Sequence, residues 1–115
     1  MKHGVIYGDS EADSLSWRVG SGEGSYEIYD VVVDSSHRRT GVGRRMVDSL
    51  IKLCEADGVR RIYAITRAEN RIAQEWYESL NFTSRPLYDF YGVRTERGDR
   101  TVDAVMYLRD LEQYP

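Results

Sequence analysis

Cysteine is nearly absent: Cys54 is the only one in 115 residues. An intrachain disulfide framework is therefore impossible, and a cysteine-rich metal site is excluded. Cys54 falls inside an apolar helical pattern, so a buried thiol is expected. Histidine is almost as scarce. His3 and His37 stand far apart in the chain, and no metal site is expected. No apolar stretch approaches the length of a membrane span, and the N-terminus lacks the apolar core of a secretory signal. An intracellular, cytoplasmic protein with no membrane partner is the expectation. An excess of positive charge is also missing. With 16 basic against 19 acidic residues and a net charge of -3, no broad nucleic-acid-binding surface is indicated. Internal repeats and low-complexity tracts are absent.

At 13.3 kDa, one compact domain over residues 1–115 is expected, with little room for a second, substrate-binding domain. Residues 3–9 suit a short first strand. Leu15, Trp17 and Val19 alternate with Ser16 and Arg18, the pattern of a half-buried strand. The glycines between Gly20 and Gly24 mark a turn. Tyr26–Val33 is rich in β-branched and aromatic residues and reads as a strand. The period then changes. Val42, Met46, Val47, Leu50, Ile51 and Cys54 mark one face of a helix to about Ala56, with Gly58 as its stop. Val59–Thr66 returns to strand chemistry with apolar residues on both faces, which predicts an interior strand. Asn70 is placed to cap a second helix whose inward stripe is Ile72, Ala73, Trp76, Tyr77 and Leu80. Asn81 suits a left-handed position after it. Segments 82–91 and 101–108 are expected to pair antiparallel, joined by a long, mobile loop over 92–100.

The most informative segment is Arg38-Arg39-Thr40-Gly41-Val42-Gly43, between the Val31-Val32-Val33 run and the first helix. Gly41 and Gly43 remove side chains where backbone must approach a ligand. Amides before and inside the first helical turn can converge on an oxyanion, and the helix dipole favours the same charge. Arg38, Arg39 and Arg44 add attraction. On glycine spacing alone, an ordinary turn flanked by solvated arginines is the favoured reading. No Gly-Lys-Ser/Thr follows, so this is not a nucleotide P-loop.

This segment resembles the acetyl-CoA signature of the GCN5-related N-acetyltransferase (GNAT) family, Gln/Arg-x-x-Gly-x-Gly/Ala. A second block, IYAITRAENRIAQEWYESLNF over residues 62–82, resembles the family as well, with Asn70, Ala73, Tyr77, Leu80 and Phe82 at matching positions. The resemblance covers about residues 26–108. It implies an α/β (α+β) fold with a mixed, mostly antiparallel sheet, a splayed parallel strand pair and packed helices. It also implies acetyl-CoA as cosubstrate, no metal, and direct acetyl transfer to an amine. The pyrophosphate site would be Arg38–Arg44, with the amides of Thr40, Gly41, Val42 and Gly43 at its centre. The pantetheine arm would lie beside Val31, Val32 and Val33, between that strand and Ile62–Thr66, and a backbone amide near Val32 or Val33 is the candidate oxyanion donor. Asn70 and Ala73 would lie near the arm; for Asn70, cofactor contact and a purely structural cap both stand.

The resemblance assigns Tyr77 the general acid that protonates the departing thiolate; periodicity alone reads it as helix packing. Glu27 matches a basic glutamate of some members, and a solvated strand carboxylate is the equal alternative. Its odd spacing from Asp30 puts those two carboxylates on opposite strand faces. Family members generally carry a further strand and two helices near the N-terminus, so a shortened N-terminal region, an open acceptor groove and a homodimer that completes it are expected. Asp9, Glu11, Asp13, Glu23, Glu27 and Asp30 would attract an amine acceptor, small molecule or protein, if they face that groove. The alternative to an enzyme is a noncatalytic CoA-binding or protein-interaction module.

Overall fold

The structure is a computed structural model that describes residues 2–111. It has the mixed α/β class, with six strands that pair mostly antiparallel and two helices. Two compact units divide it. The first holds residues up to Tyr63 together with Asp110 and Leu111; the second is Ala64–Arg109.

In the first unit, β1 (His3–Tyr7), β2 (Ser14–Val19) and β3 (Ser25–Val32) are neighbours in that order. Both pairings are antiparallel. The alternation in β2 works as expected at Leu15 and Trp17, which are buried, whereas Val19 is exposed. A short 3-10 turn (Ser35–His37) leads to α1 (Val42–Asp57). The buried face of α1 is Val42, Gly43, Met46, Val47, Leu50 and Cys54, nearly the stripe its periodicity predicts. Burial pushes the Cys54 thiol up to about 12, so it packs as a small hydrophobe. Gly58 ends the helix at φ 72°, and its N–H donates to the carbonyls of Cys54 and Glu55. At this end Asp57 accepts the Tyr26 hydroxyl at 2.5 Å and pairs with Lys2 at 2.8 Å. These contacts fasten the start of the chain and β3 to the last turn of α1.

Strand β4 (Arg61–Arg67) crosses the boundary between the units. Ile62, Tyr63, Ala64 and Thr66 are all buried, which matches a strand covered on both faces. In the second unit β4 is followed by α2 (Arg71–Ser79), β5 (Thr83–Thr95) and β6 (Gly98–Asp110), with β6 between β4 and β5. Asn81 adopts φ 66°, as its place after α2 predicts. Two expectations fail here. Ile72 is 76% exposed, so the inward stripe of α2 starts at Ala73; one apolar residue in the first turn extended the apparent stripe beyond the buried face. The 92–100 segment is not a long loop either. Thr95 pairs with Gly98, so only Glu96 and Arg97 form the connection. Gly98 at φ 111° and the Thr95 hydroxyl, which bonds the Gly98 carbonyl and accepts the Arg97 amide, close a tight turn. Charged residues on exposed strands had obscured the ladder.

These burial differences set a stability contrast. Leu50→Ala, at a position with 0% exposure, should lower unfolding free energy by about 2–5 kcal/mol. Ile72→Ala should change it by less than about 0.5 kcal/mol. Urea unfolding of both variants is the measurement.

Candidate active site

The segment between β3 and α1 reverses direction at two left-handed residues, Arg39 at φ 63° and Gly41 at φ 86°. Gly41 is the N-cap of α1, and no side chain caps that end. Among the described residues the amides of Gly41, Val42 and Gly43 donate to no protein acceptor, while the Arg45 amide bonds the Gly41 carbonyl at 3.0 Å. Helix starts ordinarily satisfy such amides with a side chain, water or a ligand. Thr40 differs from its expected role: its amide points back to the His37 carbonyl at 3.4 Å, which closes the preceding turn. Arg38, Arg39 and Arg44 are exposed around this end. Arg45 is committed elsewhere, to the Thr40 carbonyl at 3.2 Å and to Asp9 at 2.8 and 3.0 Å.

Beneath this turn lies a contact missed in the sequence. Asp13 has 0% exposure. Its carboxylate accepts the Asp34 amide at 2.9 Å and the His37 Nδ1 at 2.6 Å. Burial pushes its carboxyl up, but the Asp34 amide, His37 and the Asp9 amide together outweigh burial and hold it below the ordinary value of 3.8. Asp34 is also held low, chiefly by the Ser36 hydroxyl and then the Ser36 amide. A signal existed: counting back by twos from the buried Trp17 and Leu15 lands on Asp13.

Strand β3 carries a bulge. Ser16 faces Asp30 and Trp17 faces Ile28, which leaves Tyr29 as the extra residue. Bulges re-aim side chains, and this one corrects the assignment of faces. Arg18 faces Glu27 and Ser16 faces Asp30, so Glu27 and Asp30 share a face because the extra residue resets the alternation. Glu27 Oε1 accepts a hydrogen bond from Arg18 Nε at 2.8 Å, and the Arg18 guanidinium lies 4.7 Å from the Tyr29 ring centre. Val31 and Val33 are half-buried, and Val32 is exposed. The expected acidic surface is reduced: Asp13 is buried, while Asp9 and Glu27 are paired with arginines.

In the second unit, Asn70 caps α2 by accepting the Ala73 amide at 3.1 Å. Ala73 is half-buried. The Tyr77 ring is buried and packs against Phe82, Trp76 and Tyr107, with the Tyr107 ring stacked at 5.3 Å. Tyr107 in turn donates to Glu78 at 3.1 Å. Its phenol is pushed up to about 12, first by burial and then by that bond. No cluster of three or more potential metal ligands occurs among the described residues.

Residues 5–82, which contain both the uncapped turn and Tyr77, match the profile of the Acetyltransferase (GNAT) family. The chain belongs to this family. A GNAT relative from Escherichia coli strain K12, a [ribosomal protein bS18]-alanine N-acetyltransferase, is 30% identical over 79 residues, covering 68% of this chain and 53% of the relative. The chain thus spans about half the length of the curated relatives it matches. The crystal structure of the Escherichia coli ribosomal-protein-S18-alanine N-acetyltransferase is 26% identical, with a TM-score of 0.65 over 90% of this chain and 64% of that one. A Bacillus subtilis acetyltransferase solved in complex with CoA shares the GNAT fold, at 21% identity and a TM-score of 0.68, over 93% of this chain and 74% of that one.

The lowered carboxyls under the GNAT loop make acid sensitivity a test of this geometry. Asp13 and Asp34 titrate below 3.8 when folded. A depressed acid contributes stability above its unfolded value and loses it as pH falls through the folded one. Unfolding free energy, measured from about pH 6 down to about pH 3, should drop on the acid side, and the drop should be shallower in Asp34→Asn.

Proposed function

We propose that this chain binds acetyl-CoA and transfers its acetyl group to an amine by direct attack. The observation that carries this reading is the uncapped start of α1, where the amides of Gly41, Val42 and Gly43 have no protein acceptor among the described residues. Three such donors at the positive end of a helix fit a pyrophosphate. Exposed Arg38, Arg39 and Arg44 add charge there. The match of the same residues to the GNAT profile separates this reading from a plain glycine turn.

Bound acetyl-CoA would supply an acetyl group activated as a thioester. The chain's own tasks are then few. The Gly41–Gly43 amides hold the pyrophosphate, and the backbone of Val31–Val33 accompanies the pantetheine arm. A main-chain N–H near Val32 or Val33 stabilises the negative charge that develops on the carbonyl oxygen. Tyr77 gives its phenolic proton to the departing sulfur, a role supported by its place in the family block; its neighbours Phe82, Trp76 and Tyr107 fix the ring. Asn70 acts through the helix it caps and supports the position of Tyr77. Glu27 accepts the amine proton through Oε2, since Oε1 is held by Arg18. The bulge at Tyr29 supports this assignment by bringing Glu27 and Asp30 to one face.

The acceptor is an amine. The substrate in the name of the Escherichia coli relative, an alanine of ribosomal protein bS18, favours a protein amine over a small molecule. A homodimer and a cytoplasmic location belong to the same proposal.

Calorimetric titration with CoA tests the binding step: saturable binding is expected, and none up to about 1 mM would sink the proposal. Gly41→Ala places a side chain at φ 86° and within 3.3 Å of Arg45, and should weaken CoA about tenfold. With an acceptor in hand, Tyr77→Phe should lower kcat about 10²–10⁴-fold while leaving the KM for acetyl-CoA nearly unchanged. An unchanged kcat would remove Tyr77 from its role.

A further inference from the structure

The connection between β1 and β2 lies directly against the start of α1. A Cβ built on Gly8 would meet Val42 Cγ2 at 2.4 Å and Asp13 Cβ at 2.7 Å, so only glycine lets the two segments approach this closely. The connection is itself braced, by the Gly8 amide on the Asp13 carbonyl at 2.9 Å and the Asp13 amide on the Ser10 carbonyl at 3.1 Å. From this platform two side chains reach the loop at separate points. Asp13 takes the Asp34 amide and His37 Nδ1 at its beginning. Asp9 holds Arg45, which bonds the Thr40 carbonyl near its end.

We propose that Asp13 is a positioning residue for the CoA loop: from beneath the β1–β2 connection it fixes Asp34 and His37 so that the amides of Gly41, Val42 and Gly43 face outward together. This rests on the reading of that loop as the pyrophosphate site.

The two anchors are not equal. Arg45 and Asp9 have side chains 55% and 50% exposed, and an ion pair so open to water contributes little. Asp13 is fully buried, so its charge depends on the hydrogen bonds it accepts, those from the Asp34 amide and His37 above all. A carboxylate can only accept, so His37 carries its proton on Nδ1 in this contact. Removing that donor leaves a buried charge short of a partner, and the 34–37 turn loses a tie to the sheet. Binding then has to order the loop as well as fill it.

The His37 side chain is 29% exposed, so it can be changed with little loss of core. His37→Ala deletes the donor; His37→Asn puts an amide nitrogen close to the place of Nδ1. CoA itself is the probe, titrated by calorimetry into wild type and each variant, with thermal melting to confirm that each is folded. Wild type should bind, His37→Ala should bind about tenfold more weakly or worse, and His37→Asn should recover most of the loss. Asp13→Asn, if it folds, should also bind weakly. Folded His37→Ala with wild-type affinity, or equal losses in His37→Ala and His37→Asn, would overturn the positioning role. Failure of the wild type to bind CoA would overturn the cofactor reading, and this inference with it.

Discussion

Helix α1 starts on a backbone that only glycine adopts without strain. Gly41 sits at φ 86°, in the region where a Cβ crowds the following carbonyl. That single conformation turns the chain from the loop into the helix while leaving no side chain over the first amides. The helix cannot relieve the situation by rolling. Val42, Met46, Val47, Leu50 and Cys54 are each buried to within about two per cent of complete, and rotating α1 would move that face out of the core. The core and the binding loop are therefore one mechanical problem. Packing fixes the axis of the helix, and the axis fixes where its amides point.

Long periodic segments were legible in the sequence. The stripe of α1, the stop at Gly58, the cap at Asn70 and the left-handed Asn81 each follow from one residue type meeting one backbone requirement. Features that depend on a partner strand were not. The bulge at Tyr29 exists because Ser16 and Trp17 pair with residues two apart on β3, and nothing in the Tyr26–Val33 run announces an extra residue. Beyond α2 the antiparallel pairing forms as expected, and only the length of its connection was misjudged, for a related reason. Alternation is a burial signal, and β5 is exposed over most of its length, so nothing in the sequence marked how far its ladder with β6 continues. Ile72 shows the converse error, an apolar residue without a core to meet.

Charge was the least legible quantity. Six acidic residues near the start of the chain look alike in the sequence, yet the fold assigns them different fates. Asp13 becomes an internal strut, Asp9 and Glu27 are neutralised by arginines, and Glu11, Glu23 and Asp30 remain at the surface. Arginines divide in the same way. Arg18 and Arg45 are held by carboxylates, while Arg38 and Arg39 stand at the uncapped helix end. The local field around Gly41 is consequently set by which charges the fold has already paired, and a count of acidic and basic residues does not predict it.

The hydrogen bond from His37 to Asp13 spans 24 positions of sequence. A family signature read as a short string of residues thus omits part of what gives the string its shape. Grafting Arg38–Gly43 alone onto another scaffold would carry the letters without their foundation. A portable piece of this architecture includes Gly8, whose missing side chain admits the contact, and the buried face of α1 as far as Cys54, and a designer who borrowed less would be moving a doorway without its lintel.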